Sequence, residues 1–586
     1  MDLEDYWGIG PKTRQTLESE IGADKAIEAI QNAEVRTLVD AGVSRGRVVR
    51  ILRRATESES AALDLLETSD TRDVYTDIID VVTRYAVTED AENRIRVMTP
   101  FESRAEAEER LDEVLDSAES WSSLSDDERR EVTEVFDEYG SDGSRKAAVE
   151  TALRLAEIDE TGVFERISRL DVETLDDTVG VLGNLDGDEV GEGTDDRLDE
   201  LRAQADDVDS MRDSAFDLVE TVRSRLDTGG RRTSDDFREE FVYHVTEETG
   251  VDLDTVYSAA PNDAVDAADL VTNTLRNLSK TLEEAVEERE KEVRERIETR
   301  LDEARDEIDE AVHTVDQLAF LVSLARFVDE YDLRRPEFTD DENVAEVVGA
   351  RNLSLSAEGV DVQPVTYGVG DTSGSEVPTD RVAVLTGANS GGKTTLLETV
   401  CQTVLLAHMG LPVPAESAEV SYFDSVVFHR RHASFNAGVL ESTLRSIVPP
   451  LTTDETTLML VDEFEAITEP GSAASLLHGL VGLTVDTDAI GVFVTHLADD
   501  LEPLPEEARV DGIFAEGLDD DLQLEVDYQP RFETVGRSTP EFIVSRLVAN
   551  ASDRTERAGF ERLAGAVGEE AVQSTLDEAD WEGETP

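Results

Sequence analysis

The stretch that most constrains the fold covers residues 382–400, VAVLTGANSGGKTTLLETV. An apolar strand leads into a glycine-rich turn, and Lys393 then opens an apolar-periodic helix. Glycines let the backbone wrap around a phosphate, helix-start amides face its negative charge, Lys393 adds a point charge, and the Thr394 hydroxyl can ligate Mg²⁺. An ordinary glycine turn is the alternative, which the flanking strand and helix disfavour. The predicted phosphate loop comprises Gly387, Ala388, Asn389, Ser390, Gly391, Gly392, Lys393, Thr394 and Thr395.

Two later apolar runs end in polar residues. The run 458–461 comes directly before Asp462 and Glu463, and the run 490–494 ends before Thr495 and His496. Parallel strands buried on both faces have such sequences, and ligands bind beyond their carboxyl ends, so we expect one shared crevice. Asp462 would hold Mg²⁺ through water, Glu463 would orient or deprotonate the attacking water, and His496 would contact the terminal phosphate or that water. A structural role is the alternative for His496. The predicted catalytic residues are Lys393, Glu463 and His496.

Composition bounds the class of protein. The 586 residues suggest roughly three to four domains. The chain has 54 basic and 136 acidic residues, a formal charge of −82, and only six lysines. That pattern suits a protein of a halophile, solvated in very high salt. At molar salt the Debye length falls to about 3 Å, so the net charge does not exclude nucleic acid as a partner.

Cysteine usage and hydropathy bear on the compartment. The single cysteine, Cys401, is predicted to be a buried packing residue, which excludes a disulfide framework and indicates a reducing compartment. No stretch approaches about 18 apolar residues, and the N-terminus lacks a signal-peptide pattern. We therefore expect a soluble cytoplasmic protein with no membrane partner.

The first sixty residues form the one basic island of this acidic chain. GIGPK at 8–12 opens one helix, and AGVSRGR at 41–47 opens another. This resembles a tandem helix-hairpin-helix module, in which hairpin amides and a helix N-terminus hold a DNA backbone phosphate without reading bases. A small helical packing or dimerisation unit is the alternative. The predicted DNA-binding residues are Gly8, Gly10, Lys12, Arg14, Gly42, Arg45 and Arg47.

The pattern predicts helices over residues 57–226 and 266–331, and a strand-rich stretch from there to the phosphate loop. The acidic faces over 57–226 lack His or Cys, which argues against a metal cluster, and a long amphipathic helix is predicted over 266–331. The predicted fold is multidomain, mainly α over the N-terminal two-thirds with a long lever or coiled arm, followed by an α/β P-loop (ABC-like) ATPase domain. The predicted domains are a helix-hairpin-helix module (1–57), a helical core (58–226), a small inserted clamp-like lobe (227–265), a lever arm (266–345), the ATPase domain (346–552) and an acidic helical tail (553–586).

Five motifs together indicate a family. In order they are GANSGGKTT, LLAHMGLPVPA, FNAGVLESTLRSI, VDEFEAITEPGSAA and VTHL. Their order and spacing resemble the ATPase domain of MutS-type DNA repair proteins. The resemblance implies ATP and Mg²⁺ as cofactors, with Thr394 and Asp462 at the metal, and a homodimeric, DNA-encircling clamp whose two ATP sites each borrow a loop from the partner. That loop would be 434–443, with Ser434, Asn436 and Gly438 as contacts; the family's usual Ser-Thr-Phe is Gly-Val-Leu at 438–440 here.

The N-terminus departs from mismatch-reading MutS proteins. Their Phe-x-Glu wedge has no counterpart in the first hundred residues. The chain therefore resembles the shorter MutS paralogues, and we expect a DNA-dependent ATP hydrolase, nucleoid-associated, that acts in repair or recombination on branched DNA. The alternatives are a genuine mismatch sensor, an ABC-type chromosome-organising ATPase, and a vestigial nucleotide site. No C-terminal nuclease appendage is evident, and the preferred DNA structure and any repair partner stay open.

Overall fold

The computed structural model describes residues 3, 6, 9–31, 35–56, 65–158, 162–186, 189–226, 233–339, 343–371, 376–387, 392–431, 437–453, 455–467, 470–487, 489–501, 503–518, 524–536, 544, 547–548, 551 and 554–567. The chain splits into two compact units. Unit 1 comprises Met1–Gly140, Thr161–Val163 and Asp316–Pro586, and unit 2 comprises Ser141–Glu160 and Phe164–Val315. This division differs from the predicted domain boundaries, which stay predictions.

Helices dominate the part of the chain before residue 337, and most strands follow it. The α-helices of the described residues are α1 (Pro11–Glu20), α2 (Ala23–Gln31), α3 (Val35–Asp40), α4 (Arg45–Thr56), α5 (Ser69–Thr83), α6 (Glu89–Arg96), α7 (Arg104–Ser123), α8 (Asp126–Asp142), α9 (Arg145–Ile158), α10 (Val172–Leu182), α11 (Asp196–Asp213), α12 (Ala215–Leu226), α13 (Ser234–Thr249), α14 (Leu253–Ala259), α15 (Ala267–Glu303), α16 (Arg305–Tyr331), α17 (Leu353–Ala357), α18 (Lys393–His408), α19 (Ala437–Ile447), α20 (Pro470–Asp486) and α21 (Arg554–Val567). The strands are β1 (Leu185–Asp186), β2 (Glu189–Val190), β3 (Glu337–Thr339), β4 (Val344–Ala350), β5 (Val365–Gly370), β6 (Val382–Gly387), β7 (Ser417–Ser421), β8 (Ser425–His429), β9 (Thr457–Asp462), β10 (Ile490–Val494), β11 (Ala508–Leu518) and β12 (Leu524–Arg531). The predicted α-rich part followed by an α/β part is confirmed at this level.

A six-stranded sheet forms the centre of the C-terminal part of unit 1. Its order is β12-β11-β6-β10-β9-β8, and every neighbouring pair is parallel except β11 with β12. Strands β6, β9 and β10 are buried at every position, as their continuous apolar sequences predict for parallel strands covered on both faces. Helix α20 covers part of this sheet with Leu477, Leu480 and Val481.

A second, four-stranded sheet has the order β3-β7-β4-β5. A buried polar network joins it to the first sheet: the Tyr367 hydroxyl lies 3.0 Å from Oδ2 of Asp511, and Nη2 of Arg509 donates to the carbonyl of Gly368 at 2.6 Å. Arg509 and Asp511 also pair with each other at 2.9 Å. Because each buried charge has a partner, the network holds the two sheets in one arrangement.

The edge strand β8 is covered by the start of helix α5. The Thr71 hydroxyl donates to the carbonyl of Val426 at 2.9 Å and accepts from the backbone N–H of Phe428 at 3.0 Å. The Thr68 hydroxyl caps α5 at Thr71 and also donates to the carbonyl of Phe428. Side chains therefore satisfy the backbone groups that an edge strand would otherwise leave unpaired.

Unit 2 has its own helical core. Apolar side chains of α11 to α15 share one cluster, which includes Leu201, Val222, Val242, Val256 and Leu275. Asp195 caps α11 by accepting from the N–H of Leu198, and it also accepts from Arg289 at 2.8 Å and from Arg296 at 3.0 Å. The helices within the predicted lobe at 227–265 thus pack into the same core as their neighbours.

The long helix predicted over 266–331 is two helices, α15 and α16. Ala304 separates them with φ −101° and ψ 11°, although its N–H still bonds to the carbonyl of Arg300 at 3.1 Å. The prediction of one continuous helix is wrong at this residue, where neither Pro nor Gly marks the break.

Helix α16 has an apolar stretch whose length and composition would suit a membrane span, which the sequence prediction did not anticipate. Of this stretch, 72% is buried inside the protein.

Candidate functional site

The site forms where three neighbouring parallel strands end. In the pairing register Val494 of β10 lies beside Asp462 of β9 on one side and Leu385 of β6 on the other. The carboxyl ends of β6, β9 and β10 therefore lie at one edge of the sheet. The predicted residue Asp462 ends β9, the other predicted residues Lys393, Thr394, Glu463 and His496 follow the three strands, and the contacts below connect them.

Lys393 is buried at the start of α18. Its side chain is 4% exposed, and Nζ donates to the carbonyl of Gly387 at 2.8 Å. Burial lowers the pKa of this ammonium, and the carboxylates of Glu463, Asp462 and Glu465 oppose that shift. The ammonium is therefore held at the base of the predicted phosphate loop and is surrounded by acids.

Thr394 and Asp462 form a direct pair. The Thr394 hydroxyl donates to Oδ2 of Asp462 at 2.7 Å. The other oxygen, Oδ1, is shielded from solvent and has no hydrogen-bond partner among the described residues. Burial raises the pKa of this carboxyl, and the Thr394 hydrogen bond opposes the shift. A hydroxyl beside an unpartnered, buried carboxylate oxygen is a donor set that fits Mg²⁺, which prefers hard oxygen ligands.

Glu463 presents both carboxylate oxygens to nitrogen donors. Oε1 lies 2.9 Å from Nε2 of His496, and Oε2 lies 2.6 Å from Nη1 of Arg431. The hydrogen bond from His496 is the largest cause that holds the pKa of Glu463 below its usual value, against the effect of burial. The backbone of Glu463 is left-handed, with φ 43°, and its N–H bonds to the carbonyl of Val494 at 3.0 Å. A strained backbone held by neighbouring contacts is common at functional sites.

A cavity of about 400 Å³ lies beside the start of α18. Its lining includes apolar side chains of Leu355, Val360 and Val365 together with Tyr528. Gly392, at the N-terminus of α18, has φ 69°, and a Cβ built on it would lie 2.8 Å from the Tyr528 ring. Glycine is therefore required at this position both by its backbone angle and by the space.

Several predicted residues lie outside the described part of the chain. They are Ala388, Asn389, Ser390 and Gly391 of the loop, Ser434 and Asn436 of the predicted partner loop, and Gly8 of the N-terminal module. Gly438 lies in the first turn of α19, and Thr395 lies in α18 and also lines the cavity. These predicted roles stay predictions.

The described residues of the N-terminal island form helices α1 to α4, which share an apolar cluster. That cluster includes Ile9, Leu17, Ile30, Leu38 and Val48. Gly42 connects α3 to α4 with φ 86°, and the N–H of Val43 bonds back to the carbonyl of Leu38. Gly10 caps the N-terminus of α1.

Basic side chains lie on the surface of this module. Lys12, Arg47 and Arg50 are exposed, and Arg14 pairs with Glu18 at 2.6 Å. Arg45 lies at the start of α4. The module thus presents Lys12, Arg47 and Arg50 to solvent, and their role in DNA binding stays a prediction.

Three residues near the site were given no role by the sequence prediction: Arg431, Glu465 and Tyr528. Arg431 follows β8, which is parallel to β9, so the strand-end argument used for Asp462 would have reached it had the strand order been known. Glu465 lies within the motif VDEFEAITEPGSAA, but nothing in that motif indicates a role for this glutamate apart from the role of Glu463. Nothing in the local sequence marks Tyr528.

Comparison with known proteins supports the resemblance over the segment that holds the site. Residues 383–511 match the family model described as MutS domain V. The DNA-binding protein MutS2 of Pyrococcus furiosus is 42% identical over 243 residues, which are 41% of this chain and 42% of that protein. The mitochondrial DNA mismatch repair protein MSH1 of Arabidopsis thaliana is 31% identical over 170 residues, 27% of this chain and 14% of that protein. Endonuclease MutS2 of Clostridium botulinum is 25% identical over 277 residues, 44% of this chain and 33% of that protein.

Each alignment covers less than half of the relative's own length. The family-model match nevertheless includes Lys393, Thr394, Asp462, Glu463 and His496. These matches support a relationship of the segment that carries the site to MutS-family DNA repair proteins.

Proposed function

We propose that this chain is a DNA-dependent Mg²⁺-ATPase of the MutS type that acts as an ATP-gated, homodimeric clamp on branched or recombination DNA. The observation that carries the ATPase proposal is the hydrogen-bonded pair of Thr394 and Asp462 beside buried Lys393. An ordinary glycine turn requires neither the buried ammonium nor the unpartnered acid oxygen. The match to MutS domain V over the same residues supports this interpretation.

In the proposed mechanism each residue has one task. Lys393 leaves the carbonyl of Gly387 and binds the β- and γ-phosphates together with the loop amides. Thr394 and Asp462 would hold Mg²⁺, which would supply positive charge to neutralise the phosphates. Glu463 would orient the attacking water and accept its proton, and His496 would hold the Glu463 carboxylate. The cavity next to Tyr528 provides an apolar site for the adenine base.

The N-terminal module would bind the DNA backbone. Its exposed Lys12 and Arg47 lie close in sequence to the helix starts at Gly10 and Ser44. Helix N-terminal amides and nearby cations together bind phosphate without base contacts, which suits recognition of DNA shape rather than sequence. The partner's loop, with Gly438, would complete each ATP site in the dimer.

A mismatch sensor is the second candidate. The similarity to a relative named as a mismatch repair protein favours it. Binding of homoduplex, mispaired and four-way-junction DNA, compared at equal molar KCl, separates the two candidates. Tightest binding to the mispaired duplex would replace branched DNA with mismatches as the preferred substrate.

ATP turnover and nucleotide binding test the ATPase. Lys393→Ala should abolish nucleotide binding, whereas Glu463→Gln should bind ATP normally but lose about 10²- to 10⁴-fold in turnover, as expected on removal of a general base. Lys280→Ala removes an exposed lysine of unit 2 and is the matched control. Equal ATP affinity of the wild type and Lys393→Ala would refute the site assignment.

The same assay with a panel of DNA structures tests the DNA dependence. Turnover should rise with branched DNA, and Lys12→Glu combined with Arg47→Glu should weaken that rise without changing turnover in the absence of DNA. An unchanged rate across the panel would remove DNA from the mechanism.

A further inference from the structure

A second glutamate, Glu465, connects the ends of β9 and β10, two of the three strands whose ends form the site. Its Oε1 accepts hydrogen bonds from the hydroxyl of Thr495 at 2.9 Å and from the backbone N–H of His496 at 2.7 Å. Glu465 lies in the short 3₁₀ helix Phe464–Ile467 that follows β9, and Thr495 and His496 follow β10. One carboxylate oxygen therefore fixes the start of the segment that carries the His496 ring.

The surrounding contacts leave the His496 backbone few alternatives. Thr495 is fully buried, its N–H bonds to the carbonyl of Leu385 at 3.0 Å, and its hydroxyl oxygen accepts from the N–H of Leu497 at 3.0 Å. Phe464, next to Glu465, is 1% exposed and belongs to the apolar core. Glu465 is thus held by its own neighbour in the core while it holds the backbone of His496.

The two carboxylate oxygens of Glu465 differ in their contacts. Oε2 is shielded from solvent and has no hydrogen-bond partner among the described residues. Within the described residues, the contacts of the Glu465 carboxylate are therefore those of Oε1, with the Thr495 hydroxyl and the His496 N–H.

We propose that Glu465 is a positioning residue for ATP hydrolysis, which sets the His496 ring against Glu463. His496 connects the two glutamates. Its backbone N–H donates to Oε1 of Glu465 at 2.7 Å, and its ring Nε2 lies 2.9 Å from Oε1 of Glu463. Glu465 itself acts on the reaction only through His496. This inference rests on the proposed ATPase function.

Kinetics of Glu465→Ala, Glu465→Gln, His496→Ala and the Glu465→Ala/His496→Ala double variant test the proposal. Glu465→Ala should lower kcat by about tenfold to a hundredfold, because a displacement of about 1 Å is enough for such a loss, while ATP affinity stays within about twofold. Glu465→Gln should recover most of the lost kcat, since an amide oxygen accepts the same two hydrogen bonds. The double variant should turn over no more slowly than His496→Ala, because Glu465 acts through that residue.

Each other outcome is decisive. If Glu465→Ala slows the reaction as much in the His496→Ala background as in the wild type, Glu465 does not act through His496. If Glu465→Gln is as slow as Glu465→Ala although both bind ATP, the charge and not the geometry is needed, and the proposal is wrong. A wild-type protein without ATP turnover would refute the proposed function itself, whereas active wild type with a fully active Glu465→Ala would refute only this inference.

Discussion

Nη1 of Arg431 lies 2.6 Å from Oε2 of Glu463. Arg431 follows the edge strand β8, and Glu463 follows its parallel neighbour β9. The chain continues from Arg431 to α19, which contains Gly438 of the predicted partner loop. One ion pair therefore connects the proposed general base to the segment that would reach the second subunit.

The pH dependence of ATP turnover should report this ion pair. Glu463 acts as a base only when ionised, so turnover is lost as the pH falls through its pKa. His496, first, and Arg431 hold that pKa below its usual value. Arg431→Ala should therefore raise the pKa of Glu463 and move the acid limb of the kcat profile to higher pH, and Arg431→Lys should move it less.

The control for that series is Arg445→Ala, which removes an exposed arginine of α19 that pairs with Glu441. Its acid limb should coincide with that of the wild type. An acid limb that stays in place, or moves to lower pH, in Arg431→Ala would show that Arg431 does not set the basicity of Glu463.

The sequence predicts one part of the site well because that part depends only on the order of neighbouring residues along the chain. An apolar run followed by an acid specifies a buried parallel strand and what lies at its end, which holds for Asp462 and Glu463. Arg431 depends on which strands are neighbours, and Tyr528 depends on where the late strand β12 returns, so neither follows from local pattern. The same limit applies to Ala304, where the apolar period continues through a break in the helix.

Gly392→Ala should weaken nucleotide binding by about tenfold, since a side chain at a left-handed backbone position is strained by roughly 1–3 kcal/mol. The added Cβ would also meet the Tyr528 ring at 2.8 Å. Calorimetric titration with a non-hydrolysable ATP analogue measures the loss. Adding Tyr528→Ala should restore only part of the affinity, because it makes space without changing φ.

Gly559→Ala is the matched control for that substitution. Gly559 lies in helix α21, and a Cβ added at this position would meet no heavy atom within 4 Å. It should bind the analogue as the wild type does. Full affinity in Gly392→Ala would contradict the assignment of this turn as the phosphate loop.

Added salt should stabilise the fold most strongly in the low range of salt concentration. The formal charge of the chain is −82. Like charges lie close together on α5: the pKa of Asp77 is raised first by burial and then by the neighbouring carboxylates of Asp73 and Asp80, while Arg430 opposes this shift. The Debye length falls from about 10 Å at 0.1 M to about 3 Å at 1 M, so repulsion between such groups is screened over this range. The thermal midpoint of unfolding should therefore rise most steeply between about 0.1 M and about 1 M KCl.

The shape of that salt curve separates screening from other salt effects. Screening saturates once the Debye length is shorter than the spacing of the charges, whereas preferential exclusion of salt grows steadily at high concentration. A midpoint that is flat below 1 M KCl and rises only above it would show that repulsion among the acids is not what limits stability.

Thr71→Val should destabilise unit 1 through the edge of the central sheet. The fully buried Thr71 hydroxyl pairs with both the carbonyl of Val426 and the N–H of Phe428, and valine has nearly the same shape without either bond. Leaving buried backbone groups unpaired should lower the free energy of unfolding by about 1–3 kcal/mol. Hydrogen–deuterium exchange of a peptide spanning 425–429 should become faster, because β8 then opens more readily.

Two further variants of helix α5 are the controls for Thr71→Val. Thr71→Ser keeps the hydroxyl and should keep slow exchange in β8, whereas Thr76→Val changes an exposed threonine whose hydroxyl bonds only within its own helix, to the carbonyl of Arg72 at 2.8 Å. Thr76→Val should leave both exchange and stability within about 0.5 kcal/mol of the wild type. Slow exchange in Thr71→Val would mean that the sheet edge is held by packing of α5 rather than by its threonine hydroxyls.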